Sequence, residues 1–144
     1  MQDCVIRWHY LSYALMQRFE RAWVKNSDAL TQLSAREQGI VAFTAMMYLL
    51  EHGGFATFFT VWREEQLPMV FRTLDELKTE EFSVLVCRGY TLLAPVLAQC
   101  ERCNGEEVYE HLSASSRAEL EKLNVQFQQV KEQAYFCAYQ YYAG

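Results

Sequence analysis

The sequence predicts an all-α fold, a compact single-domain bundle of about six to seven helices over residues 1–144 with a long C-terminal helix. Three observations indicate it. Apolar residues recur at helical spacing over long stretches, no alternating strand pattern is sustained, and only two prolines and six glycines interrupt the chain. Because 51% of its residues are apolar, a chain of 144 residues can fill one sizeable core.

The first predicted helix runs from about Asp3 to Lys25. It ends near Asn26-Ser27-Asp28, where polar residues interrupt the apolar pattern. Its core-facing stripe is expected to contain Trp8, Leu11, Leu15, Phe19, Ala22 and Trp23.

A second helix is predicted to begin after Ser34, which can form a capping box with Glu37 three residues later. Its apolar face is broad, so we expect this helix to lie near the centre of the domain. That face contains Ile40, Val41, Phe43, Ala45, Met47, Tyr48 and Leu50.

Two glycines and an aromatic run follow this helix directly, in the segment His52-Gly53-Gly54-Phe55-Ala56-Thr57-Phe58-Phe59. Gly53 is expected to take the left-handed conformation that ends many helices, with His52 near the last carbonyls. Phe55, Phe58 and Phe59 have the spacing of one helical face, which favours a short buried aromatic helix.

The middle of the chain predicts two further helices. Pro68 suits the first turn of one of them, and Thr79 is a suitable cap for the other, which spans about Glu80 to Gln99. Pro95 is expected to kink or break that second helix because proline removes an internal hydrogen bond. Asn104-Gly105 then predicts a turn.

Ser116 and Glu119 form a second potential capping box, which predicts the start of the long final helix. Its packing seam is expected to contain Leu120, Leu123, Phe127, Val130, Ala134, Cys137 and Tyr141. The last turns carry more aromatic residues than one seam can bury. Burial between neighbouring helices is one interpretation, and an exposed interface, for a homodimer or another partner, through Tyr135, Tyr139 and Tyr142 is the other.

The glycine and aromatic segment resembles the hallmark of a bacterial family, a domain of unknown function that includes a DNA-mimic protein. The shared pattern is Gly-Gly-Phe-x-x-Phe-Phe after an apolar helix, and the resemblance extends from about Ser34 to Tyr142. This chain has His52 where the family usually has Asn, and Thr57 where it usually has Gln. The resemblance implies an all-helical protein that imitates DNA.

Negative charge is concentrated in the middle of the chain. Residues 64–121 carry twelve acidic and five basic side chains, whereas residues 1–63 carry five acidic and six basic ones. Acidic residues in a first helical turn, or on a solvated face, are one ordinary explanation. The other interpretation is an acidic set that imitates duplex phosphates: Glu64, Glu65, Asp75, Glu76, Glu80, Glu81, Glu106, Glu107 and Glu110.

The functional expectation is a non-enzymatic interaction module that occupies a basic, nucleic-acid-binding protein. Direct binding to nucleic acid is disfavoured because the chain has no basic stripe. The alternative is an immunity protein that caps a toxin, since toxins that degrade nucleic acid also have basic clefts.

Signatures of catalysis are few. Cys100 and Cys103 form a C-x-x-C pair without a second ligand pair, so a redox or metal role is a minor alternative. No cofactor or metal is expected. Five cysteines without framework spacing favour reduced thiols, and no uninterrupted apolar span or signal peptide is evident. We therefore expect a soluble cytoplasmic protein.

Overall fold

The computed structural model describes residues 2–25, 28–63 and 65–143, without the side chains of Gln2, Val24 and Lys25. Helices account for 88% of the structure, and these described residues contain no strand. The elements are α1 (Gln2–Lys25), a short 3-10 helix (Ala29–Gln32), α2 (Ala35–Val61), α3 (Leu67–Leu77), α4 (Glu80–Gln99), α5 (Gly105–Glu110) and α6 (Ala114–Ala143). The predicted all-α fold with a long C-terminal helix is confirmed.

α2 lies at the centre, because it contacts each of the other five helices. It begins with the predicted capping box: the Glu37 amide donates to Ser34 Oγ, and the Ser34 amide donates to Glu37 Oε1, both at 3.1 Å. Tyr48 departs from the prediction. Its side chain is 62% exposed, since it borders a groove that the neighbouring helices leave open.

The backbone of α2 changes direction at Gly54, where φ is 75° and ψ is −172°. We expected Gly53 to take the positive φ, and this prediction was wrong by one residue. The conformation of Gly54 is available almost only to glycine. Residues 55–61 then continue as a helix in which Phe55, Phe58 and Phe59 are fully buried, as predicted.

α1 packs across α2 and α6 through the predicted stripe. Trp8, Leu15 and Phe19 are buried, and the Trp8 indole nitrogen donates to Thr44 Oγ1 on α2 at 3.0 Å. The last part of the stripe was predicted wrongly. Ala22 is exposed and Trp23 is 41% exposed, because this end of α1 borders the same open groove.

α3 and α4 are joined by a short turn. Pro68 lies in the first turn of α3 and Thr79 precedes α4, as predicted, although Thr79 makes no side-chain capping bond. Pro95 does not break α4, which continues to Gln99. Lys78 ends α3 in the left-handed conformation, with φ 54°.

α4 is the helix that is long and apolar enough, by length and composition, to cross a membrane, among the residues described. Its mean hydropathy reaches 1.3 over 18 residues, and a core helix of a soluble protein can reach the same value. Phe82, Val86 and Leu93 are buried, and α4 packs mainly against α6 and α2. Cytoplasmic localisation stays a prediction.

α6 begins earlier than the sequence suggested. The Ser113 hydroxyl accepts the Ser116 amide at 3.1 Å, so Ser116 lies inside the first turn and its predicted capping role was wrong. The packing seam is as predicted at Leu120, Leu123, Phe127 and Ala134. Near the C-terminus the seam advances by four residues at each step, which buries Ala138 and Tyr142 and leaves Tyr141 exposed.

Candidate functional site

The predicted acidic side chains lie mostly on the surface. Glu65, Asp75, Glu80, Glu81, Glu106, Glu107 and Glu110 are exposed, and Glu76 is partly buried. Glu64 lies outside the described residues. No set of three or more His, Cys, Asp or Glu side chains in the described residues is arranged to hold a metal ion.

Seven of these eight carboxylates form two groups, and Glu65, in the turn between α2 and α3, is assigned to neither. Asp75, Glu76, Glu80 and Glu81 surround the turn between α3 and α4, and we call them the hairpin group. Glu106, Glu107 and Glu110 lie on α5, just beyond the other end of α4, and we call them the α5 group. The 20 residues of α4 rise about 1.5 Å each, so a helix about 30 Å long lies between the two groups.

Few of these carboxylates are neutralised by a cation. Arg72 approaches Glu76 at 3.9 Å, and within the described residues no other carboxylate of the two groups forms an ion pair. Nearby arginines are used elsewhere. Arg117 donates to the Tyr109 and Glu110 carbonyls at 3.1 and 2.6 Å, and Arg63 donates to the Cys103 carbonyl at 3.1 Å. Apart from Glu76, the carboxylates of both groups therefore have no paired cation within 4 Å in the described residues, although Arg117 keeps its charge at the end of α5.

The α5 group is held by local bonds. Asn104, predicted to form a turn, instead caps α5: its side chain accepts the Glu107 amide at 2.9 Å, and the Glu107 carboxylate accepts the Asn104 amide. Gly105 packs directly on α2, where an added Cβ would lie 3.0 Å from the Thr57 backbone. The bonds from Arg117, which lies in α6, tie the other end of α5.

The segment from His52 to Phe59 is a structural joint. The Phe55 amide donates to Asn124 Oδ1 of α6 at 3.4 Å, which supplies an acceptor at the Gly54 bend. Thr57 packs between Gly53 and Gly105. A Cβ on Gly53 would lie 2.6 Å from Thr57 Cβ, and a Cβ on Gly105 would lie 3.0 Å from the Thr57 backbone. This packing explains why a small side chain is suited to position 57. His52 is exposed and lies 4.4 Å from the Tyr48 ring, centroid to centroid.

Cys100 and Cys103 form a disulfide, with their Cα atoms 5.5 Å apart. The expectation of reduced thiols is wrong for this pair, because α4 ends at Gln99 and the next turn brings the two cysteines together. Cys4, Cys87 and Cys137 are free, as expected. The metal alternative has no support, since no further ligand joins the pair in the described residues.

For Tyr142, the burial interpretation applies and the interface interpretation does not. It is 3% exposed, its ring packs 5.8 Å from the ring of Trp8, and its carbonyl accepts a bond from Arg36 at 2.6 Å. Burial, with a smaller effect of Glu76, raises its pKa to about 12. α6 is long enough to reach the start of α2, where Gly39 leaves room for the Tyr142 ring.

Tyr135 and Tyr139 are both partly buried. Burial, and to a lesser degree Glu51, raises the pKa of Tyr135 to about 12. The Arg7 guanidinium carbon lies 6.0 Å from the Tyr139 ring centroid. The exposed aromatic residues of this helix are instead Phe136 and Tyr141.

Sequence reasoning missed two features of the structure. Asn124 was not singled out, although it is a polar residue directly beside the predicted seam position Leu123. The groove at Trp23 and Tyr48 was also missed, because both residues continue apolar stripes that predict burial. Scans against family models, curated proteins and solved structures found no match to this chain.

Proposed function

We propose that this chain is a non-enzymatic interaction module that occupies the nucleic-acid-binding surface of a basic protein. The observation that carries the proposal is the pair of exposed acidic groups at the two ends of α4. In the described residues, a single cation, Arg72, lies within 4 Å of a carboxylate of these two groups. Carboxylates of this kind attract a basic surface and add to the rate and specificity of association.

The spacing of the groups also supports the proposal. The helix of about 30 Å between them is similar in length to one turn of a DNA duplex, about 34 Å, over which a DNA-binding protein repeats its phosphate contacts. The hairpin group lies on the ends of α3 and α4, and capping bonds hold the α5 group, so little backbone entropy is lost when a partner binds. Imitation of duplex phosphates is therefore the specific form of the proposal.

The test begins with the immobilised protein and a lysate of the organism that encodes it. A basic protein should be retained at low salt, released by a salt gradient and displaced by duplex DNA. Two double variants test the acidic groups: Glu80→Lys/Glu81→Lys and Glu106→Lys/Glu110→Lys. Each should weaken the retention of the basic protein and reduce the dependence of that retention on salt.

The matched control is Asp3→Lys/Glu119→Lys, which changes the net charge equally at exposed positions outside both groups. It should reduce retention much less than either test variant. Equal losses in all three would show an effect of net charge alone and contradict the proposal. A partner that resists salt and is not displaced by DNA would favour the alternative, an immunity protein that caps a toxin.

A further inference from the structure

A groove of about 800 Å³ lies between α1, α2 and α6, and no residue of the two acidic groups lines it. Its volume is within the range of about 300–1,000 Å³ that is typical of small-ligand sites. Ten large apolar side chains are exposed in the described residues. Five of these line this one groove: Ile6, Tyr13, Trp23, Tyr48 and Val61. Such a concentration of exposed apolar surface is typical of a binding site.

Aromatic rings line two sides of the groove. On α1 the Phe19 and Trp23 rings lie 5.4 Å apart, and on α2 the Tyr48 and His52 rings lie 4.4 Å apart, measured between centroids. The faces of tryptophan and tyrosine rings attract an organic cation through their quadrupole.

The charged lining is predominantly negative. Lys131 donates to both Glu51 oxygens, at 3.0 and 3.2 Å, so this lysine and glutamate neutralise each other. Glu20 and Glu132 also line the groove and form no ion pair within the described part of the chain. The lining therefore offers an incoming ligand two uncompensated carboxylates and no free lysine or arginine.

The remaining titratable groups of the lining are two histidines and three tyrosines: His9, His52, Tyr13, Tyr48 and Tyr135. His9 lies 6.2 Å from Tyr135, ring to ring, at one end of the groove. Burial, and in addition Glu51, raises the pKa of Tyr135 to about 12, so its hydroxyl stays protonated and adds no charge to this end of the groove.

We propose that this groove binds a bulky organic cation, whose apolar body packs against the aromatic walls and whose positive charge lies near Glu20 and Glu132. An anion would find no free basic group there, and a neutral apolar ligand would leave both carboxylates partly desolvated and unpaired. The proposal is independent of the acidic groups at the ends of α4.

Two probe ions of the same size and shape but opposite charge test this directly: tetraphenylphosphonium and tetraphenylborate. Titration calorimetry and quenching of tryptophan fluorescence should show saturable 1:1 binding of the phosphonium, because Trp23 and Trp62 line the groove. The phosphonium should bind at least about tenfold more tightly than the borate, and added salt should reduce this difference.

Variants separate the charge from the apolar surface. Glu20→Gln and Glu132→Gln should each weaken phosphonium binding about two- to fivefold, the size of an exposed ion pair, and leave borate binding unchanged or stronger. Tyr48→Ala should weaken the binding of both ions, and it should not unfold the chain because Tyr48 is exposed. The control Glu119→Gln lies on α6 outside the groove and should change neither affinity.

Equal or tighter binding of the borate would overturn the proposal, as would the absence of saturable binding to either ion. A dimer detected by sedimentation that excludes both ions would also overturn it and assign the groove to a second copy of the chain. Because these variants lie outside the acidic groups, failure here leaves retention of a basic partner unaffected, and the two proposals fail separately.

Discussion

Replacing Gly54 with alanine is the sharpest test of how this fold is held. At φ 75° and ψ −172° the residue has a conformation that costs a non-glycine residue about 1–3 kcal/mol. The new methyl group would also lie 2.9 Å from Asn124 Oδ1, which accepts the Phe55 amide. Disturbing that hydrogen bond adds about 0.5–1.5 kcal/mol. We therefore expect Gly54→Ala to lower the free energy of unfolding by about 2–4 kcal/mol.

Urea unfolding followed by circular dichroism measures this loss. With a denaturant slope of about 2 kcal/mol/M, the midpoint should fall by about 1–2 M at an unchanged slope. The variants Asn124→Ala and Gly54→Ala/Asn124→Ala complete a double-mutant cycle. In the Asn124→Ala background, the contact between the new methyl group and the Asn124 side chain is absent, but the strain of the positive φ remains. Gly54→Ala should therefore still cost at least about 1 kcal/mol there.

Two results would refute this reasoning. A free energy of unfolding of Gly54→Ala within about 0.5 kcal/mol of the parent value would show that the bend tolerates a side chain. If Gly54→Ala caused no loss of stability in the Asn124→Ala background, crowding against the Asn124 side chain, and not the positive φ, would make glycine necessary at this position.

Two further predictions concern buried polar groups. Thr44→Val should lower the free energy of unfolding by about 1–3 kcal/mol, because it leaves the buried Trp8 N–H without its acceptor at 3.0 Å. Thr44→Ser keeps that acceptor and should cost clearly less in the same urea assay, and equal losses would contradict this account. Tyr135 and Tyr142 have folded-state pKa values of about 12, whereas the ordinary value is 10.0. As the pH rises, these tyrosines therefore lose their protons in the unfolded chain first. The free energy of unfolding should fall as the pH rises from about 10 to about 12. The Tyr135→Phe/Tyr142→Phe variant should lose less stability over that pH range, and an unchanged fall in stability would show that other groups cause it.

Tyr142 is suited to that substitution because its buried hydroxyl has no hydrogen-bond partner among the described residues. Thr73 lies nearby and slightly lowers the pKa, but its hydroxyl donates to the Met69 carbonyl at 2.8 Å, and the geometry does not pair it with Tyr142. Removing an unpaired buried hydroxyl costs little, so a change at high pH reports ionisation rather than damage to the core.

Local sequence signals predicted most helices of the fold. The Ser34 capping box, Pro68 and the aromatic face of residues 55–59 act over one or two helical turns, so neighbouring residues suffice to recognise them. Errors arose where two signals competed within a few residues. Gly53 and Gly54 were both suitable for the positive φ, and Ser113 and Ser116 were both suitable as the cap of α6. At Gly54 the choice coincides with a contact to the Asn124 side chain of α6, which is distant in sequence, so a local pattern contains no record of it.

The candidate surfaces were predicted less completely. The sequence identified an acidic middle segment, but only the lengths and order of the helices divide its carboxylates between the two ends of α4. Apolar stripes predicted burial for Trp23 and Tyr48, because periodicity shows which residues share a helix face and does not show whether another helix covers that face.

By itself, the sequence determined the helical class, the central place of α2 and the concentration of negative charge, since these follow from composition and from spacing within single helices. Only the tertiary structure decided that Tyr142 belongs to the core, that Cys100 and Cys103 are bonded, and that an open groove lies between α1, α2 and α6. Each of these depends on where distant helices end relative to one another. Contacts of that kind are set by the packing of the whole chain, which no single segment specifies.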